Sequence, residues 1–170
     1  QEVMYVIKSL MEVADAKVAG QFGERLFKGG VVERCLQIVH PVADSPLKAS
    51  AAAIVANMCA VYKDCQAPLI HRGGVHQFTT LARFGKRTTE KADSILVLFH
   101  LAHGRPDIAR RIANTQSFAK DLKRHARASA FDLTKLTEDE KHDLQVLREN
   151  ATDLMYQLIK EMGKAEPAEA

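Results

Sequence analysis

His100 and His103 stand three residues apart in LFHLAH, a spacing that turns both rings to one side of a helix. Two imidazoles so placed can share a metal ion, but a protein metal site needs further ligands and no third is evident. As ordinary residues, His100 lines a surface and His103 tops a helix C-terminus, where the dipole favours it. Cys59, Cys65, His71 and His76 fall close together but lack the paired Cys-x2-Cys spacing of zinc ligands. Cys35, Cys59 and Cys65 are an odd set of three, all inside apolar helical patterns, and read as small buried hydrophobes of a reducing compartment. The glycine pairs in LFKGGVVERC (26–35) and LIHRGGVHQF (69–78) lack the Lys-Ser/Thr of a phosphate loop and follow helical rather than strand patterns. Neither Gly-x-Ser-x-Gly nor His-Glu-x-x-His occurs. No catalytic constellation, metal or cofactor is therefore expected, and the chain does not read as an enzyme.

Charge offers a second kind of chemistry. The net charge of +3 conceals segments of +1 (1–82), +7 (83–127) and −5 (128–170). Arg83, Lys86, Arg87, Arg105, Arg110, Arg111, Lys120, Lys123, Arg124 and Arg127 could form a basic patch for an acidic protein surface. Nucleic acid is the weaker alternative, because Phe84 and Phe118 are the only rings nearby outside LFHL. The same residues also fit a solvated face of two helices, or a face neutralised by the acidic last segment folding back.

Helices must position these groups. Hydrophobic residues make up 46% and charged residues 26%, Trp is absent, and runs alternating with period two are few, which favours an all-α soluble chain. No uninterrupted apolar run approaches the length of a membrane span. The periodicity predicts helices over 2–14, 19–28, 31–41, from Ser45–Pro46 to about Tyr62, 64–71 and 75–83. Another starts at a Thr88 or Thr89 cap and stops at Gly104, one opens at Pro106, and one follows Ser117. A last helix begins at the Thr137–Glu140 capping box and runs to about Met162 with Leu144, Leu147, Ala151, Leu154, Leu158 and Met162 on one face. Residues 1–162 form one domain, and 163–170 form a disordered tail.

The order repeats: long helix, short helix, sharp break, medium helix. Gly30 and Gly74 are 44 residues apart, Gly74 and Ser117 are 43, and Asn57 and His100 are 43. Periods of this length mark solenoid arrays. The glycine pair supplies the tight corner between short and medium helices, with Gly74 as the position closed to other residues.

Residues 48–82, KASAAAIVANMCAVYKDCQAPLIHRGGVHQFTTLA, resemble an armadillo repeat, with ANMCA (56–60) on the family's Ser-Asn-Leu-Ala-like tetrad and Gly73-Gly74-Val75 on its corner. LFHLAHGRPDIARRIA (98–113) matches again one repeat later, with His100 in place of the Asn. The resemblance covers 1–127 and implies a right-handed α-solenoid of about three repeats, closed by a long C-terminal helix. It implies a concave groove in which Asn57 and His100 meet the backbone of an extended partner. Ala53 and Leu96 occupy the positions where the nuclear-import carriers of this family have Trp, so recognition of basic import peptides is not expected.

The function implied is a non-catalytic scaffold or adaptor binding a protein partner, an acidic one in view of the basic patch. The alternative is a structural subunit of a large multiprotein or ribonucleoprotein assembly, organellar among the options. The expected location is intracellular, cytoplasmic first and mitochondrial second. The chain opens at Gln1 without a signal-like segment, which fits an internal fragment as well as a mature chain freed of its leader. The apolar stripe of 2–14, including Val3, Ile7 and Leu10, is too wide for one neighbour to cover and calls for an upstream repeat or another chain.

Overall fold

The computed structural model of the chain describes residue 7 and residues 16–43, 45–127 and 136–164; within these every regular element is a helix. In order they are α1 (Ala16–Lys28), α2 (Val31–Val39), α3 (Lys48–Val61), a 3-10 turn (Lys63–Cys65) leading into α4 (Gln66–His71), α5 (Gly74–Phe84), α6 (Thr88–Ala102), α7 (Pro106–Ala113), α8 (Phe118–Ala126) and α9 (Glu138–Met162). The helix expected over 2–14 lies outside the described residues, except Ile7, which is helical and half-buried against the core. The tail from 165 onward also lies outside them.

The three breaks have one backbone solution. Gly30, Gly73 and Ser117, 43 and 44 residues apart, take φ of 76°, 81° and 62°, and each immediately precedes the medium helix α2, α5 or α8. In the second pair the left-handed residue is thus Gly73, not the expected Gly74. Gly74 is restricted for another reason. A Cβ there would stand 2.7 Å from the Leu69 carbonyl oxygen and 2.8 Å from Leu69 Cγ. One glycine of the pair supplies the reversed φ and the other the close approach.

Helix starts follow side-chain chemistry with two departures from expectation. Ser45 Oγ accepts the Leu47 N–H at 3.2 Å, and α3 begins at Lys48, slightly later than Pro46 suggested. Thr88 and Thr89 lie inside α6 rather than capping it. The buried Glu90 carboxylate instead accepts the Lys86 N–H at 2.8 Å and the Arg87 N–H at 3.4 Å. Thr137 behaves as expected: its Oγ1 accepts the Glu140 N–H at 3.2 Å, and Glu140 accepts the Thr137 N–H at 2.9 Å.

Packing follows the repeated order. α6 lies between α3 and α9 and also rests on α5 and α7, while α5 touches both α2 and α8. Ala51, Ala52, Ala53 and Ala56 keep α3 slim, and all four are buried. α6 contributes Ile95, Val97, Leu98 and Leu101, none of them exposed. α9 runs parallel to α6: Asn150 Nδ2 donates to the Ala92 carbonyl at 3.0 Å, and the Glu161 carboxylate accepts the Gly104 N–H near the far end. Leu147, Ala151, Leu154 and Leu158 of α9 are buried as expected, but Met162 is 44% exposed and belongs to the other face. Ion pairs join successive medium helices and corners, with Glu33 to Arg72 and Arg83 to Asp121, the latter at 2.8 Å.

The corner geometry predicts two distinguishable costs in urea unfolding. Gly73→Ala should lose about 1–2 kcal/mol through left-handed strain alone, and Gly73→Asn less, since Asn tolerates that region. Gly74→Ala should lose at least about 1 kcal/mol, because the Leu69 backbone cannot withdraw far. Wild-type stability in both Ala variants would contradict this account.

Candidate functional site

α3 and α6 carry the polar pair singled out by spacing. Asn57 sits near the C-terminal end of α3 and His100 near that of α6, both half-buried. Asn57 Nδ2 is shut off from solvent and has no acceptor among the described residues. A shielded amide donor without a partner is costly in a folded chain and needs an explanation. Ala53, one turn earlier, is buried, so it packs rather than offering surface; Leu96 is half-buried against the core.

His100 is held in an aromatic setting. Its ring meets Phe99 edge-on at 5.5 Å between centroids, and His103 lies 6.4 Å from the same Phe99. Burial, aided by the neighbouring His103, pulls the His100 pKa below the ordinary imidazole value of 6.5. The neutral ring therefore persists to lower pH than an unperturbed histidine would allow, keeping one donor and one acceptor. Among the described residues no group of three or more His, Cys, Asp or Glu is placed to hold a metal ion.

The three thiols are buried, as their apolar setting suggested, and all are free. Burial pushes Cys35 up to about 12. Cys59 and Cys65 form a pair that the sequence did not reveal, with Sγ atoms 3.9 Å apart across the junction of α3 and the 3-10 turn. The contact with Cys65, together with burial, holds the Cys59 thiol well above its usual range. Gln66 Nε2 closes the same junction by donating to the Cys59 carbonyl at 2.9 Å. Cys35 and Cys59, so protonated, are packing groups rather than nucleophiles, whereas the hydrogen bond to Cys59 draws the Cys65 thiol below its usual value.

The basic residues are distributed over α5, α7, α8 and the turns beside them, and Arg105 lies close enough to the end of α3 to act on the Cys59 thiol. Arg83 ends α5, Lys86 and Arg87 follow it, Arg105 precedes α7, Arg110 and Arg111 sit on α7, and Lys120, Lys123, Arg124 and Arg127 sit on or after α8. Several are already engaged. Asp121 takes Arg83 Nε at 2.8 Å on one oxygen and Arg124 at 3.0 Å on the other, and the Arg83 guanidinium stacks 4.8 Å over Phe84. An Arg87 amino group reaches the Pro46 carbonyl at 3.5 Å. Lys120, Lys123 and Arg111 point outward and are exposed. Asp121 was missed because its partner lies 38 residues away, which only the packing of α5 on α8 brings close.

Among the described residues no helix is long and apolar enough to cross a membrane. Comparison with models of protein families, with characterised proteins and with solved structures yields no match.

The His100 environment makes a sign-definite prediction. The folded chain disfavours a proton that the unfolded chain accepts near pH 6.5, so His100 withdraws stability as the pH falls below that value. An NMR titration of its ring protons should give a midpoint below 6.5. A midpoint at or above 6.5, or a stability curve that His100→Asn leaves unchanged on the acid side, would contradict the burial argument.

Proposed function

We propose that the chain is an armadillo-like right-handed α-solenoid of three units acting as a non-catalytic interaction module. In this reading the α3–α6 edge receives an extended segment of a protein partner, with Asn57 and His100 as its polar contacts. The observation that carries the reading is the placement of a half-buried side chain that can both donate and accept near the C-terminal end of each of these helices, Asn57 on α3 and His100 on α6, 43 residues apart. An amide side chain both donates and accepts, so Asn57 can pair with the backbone of a bound segment whatever its sequence. The neutral form of His100, one repeat later, offers the same two-way hydrogen bonding. The corners spaced 43 and 44 residues apart, with one left-handed residue each, and the ordered packing of α3, α6 and α9 support the repeat architecture. Exposed Arg111, Lys120 and Lys123 on the other side favour a partner rich in Asp and Glu by steering its approach.

The test separates binding from folding. A photo-crosslinking residue at Ala60, exposed at the end of α3, is compared with one at Lys123 on α8 to find and place the partner. Affinity for the purified partner is then measured for Asn57→Ala. The variant should bind about two- to tenfold more weakly, the worth of one hydrogen bond, while its melting temperature stays level or rises because an orphan donor is gone. Unchanged affinity would remove the α3–α6 edge as the binding site. Loss only on Arg110→Glu with Arg111→Glu would move the contact to the α7–α8 side.

A further inference from the structure

Two of the three thiols meet at one junction. Cys59 lies in the last turn of α3, and Cys65 ends the 3-10 turn Lys63–Cys65 that leads into α4. Their Sγ atoms are 3.9 Å apart. A covalent S–S bond is roughly 2.0 Å long, so the sulfurs must approach by about 2 Å, within reach of rotation about the two Cα–Cβ bonds. The backbone on both sides is already fixed. Gln66 Nε2 donates to the Cys59 carbonyl at 2.9 Å, and the Tyr62 carbonyl accepts the Cys65 N–H at 3.2 Å. The contact with Cys65, together with burial, keeps Cys59 protonated, while the contact with Cys59 draws Cys65 below the ordinary thiol value. One sulfur is thus suited to attack an oxidant, and the other stands beside it to resolve the product. Both side chains are buried, but the turn that carries Cys65 is short, and its Lys63 and Asp64 are exposed. Opening of that turn uncovers Cys65 without unfolding α3.

We propose that this junction is a modification site, at which a peroxide converts Cys59 and Cys65 into a reversible disulfide that fastens the end of α3 to the start of α4. Cys65, having released its proton to water, attacks one oxygen of hydrogen peroxide as the thiolate. An S–O bond forms, the O–O bond breaks, and the departing hydroxide takes up a proton to become water. Cys59 then attacks the sulfur of the Cys65 sulfenic acid. The S–S bond forms, the S–O bond breaks, and the hydroxyl leaves as water with the Cys59 proton. In all, two thiols give up two electrons and two protons, and one peroxide is reduced to two waters. The loop closed from 59 to 65 is short, so the bond constrains little of the unfolded chain and stays open to reduction by a dithiol. Cys35, on α2 and pushed up to about 12, is not part of the pair. The inference does not rest on the α3–α6 binding edge.

Treatment of the folded full chain with hydrogen peroxide, followed by alkylation in denaturant, tests this. The count of free thiols should fall from three to one, and dithiothreitol added before alkylation should restore all three. Trypsin cuts after Lys48, Lys63 and Arg72, and so between the two cysteines. The unreduced digest should therefore hold peptide 49–63 joined to peptide 64–72, and reduction should part them. Cys35→Ala should give the same joined pair, and the wild-type digest decides the matter without any variant if that buried position does not tolerate the change. Thiols that all persist while the exposed Met162 turns to its sulfoxide overturn the proposal. A main product joined through Cys35 overturns it as well, as does Cys65 ending as a sulfinic acid with Cys59 still free.

Discussion

The structure depends on the burial of most of the surface of α6. Ala92, Ile95, Val97, Leu98, Leu101 and Ala102 are all buried, on more than one side of the same helix. A helix apolar on so many sides has no stable place at a surface and must be surrounded. α3, α5, α7 and α9 cover α6 on all but the side of Thr89, Asp93, Leu96 and His100, which are half-buried. With α6 central, α3 and α9 are its main neighbours. Small residues make this possible, since the alanines of α3 allow close approach without forcing the shorter helices apart.

The corners convert that packing into a repeated one. A left-handed residue before each medium helix turns the chain sharply enough for a short helix and its successor to fold back on the previous unit. Ser117 does this without glycine, at the cost of some strain, so the constraint belongs to the turn and not to one residue type. Polar groups then lock individual junctions. Gln66 ties the end of α3, Glu90 closes the start of α6, and the buried Glu161 gathers Lys164, Gln157 and the Gly104 N–H where α9 meets the end of α6. The Lys164 contact is the largest influence holding the Glu161 carboxyl below the usual carboxylate range, so this junction tightens as a charged one.

Much of this was legible in the sequence, because repeats write local signals twice. The glycine pairs, the Thr137 capping box, Pro106 and the 43-residue spacing of Asn57 and His100 each depend on neighbours within a few residues or one period. What remained hidden depends on contacts across the fold. Which glycine of a pair reverses φ cannot be read from the letters Gly-Gly: it is the second in Gly29–Gly30 and the first in Gly73–Gly74. Thr88 and Thr89 looked like caps, but the carboxylate of Glu90 reached the exposed N–H groups first. Cys59 and Cys65 read as separate core residues until the 3-10 turn carried the chain back over the end of α3. At the candidate site the sequence could rank Asn57 by type and spacing, but an unmet hydrogen-bonding need is visible only in three dimensions.

The claim on which the rest stands is that α6, packed by α3, α5, α7 and α9, is the most firmly held element of the fold. Native-state hydrogen exchange reads this residue by residue. The amides of α6 from Ile95 to Leu101 should be among the slowest in the chain and should exchange only with global unfolding, their protection falling with denaturant at the full unfolding slope. α9 and α3 should follow close behind, since opening either exposes α6. If the α6 amides instead exchanged through local openings, with little dependence on denaturant while α3 and α5 stayed protected, α6 would not be the support of the fold and this account would be wrong.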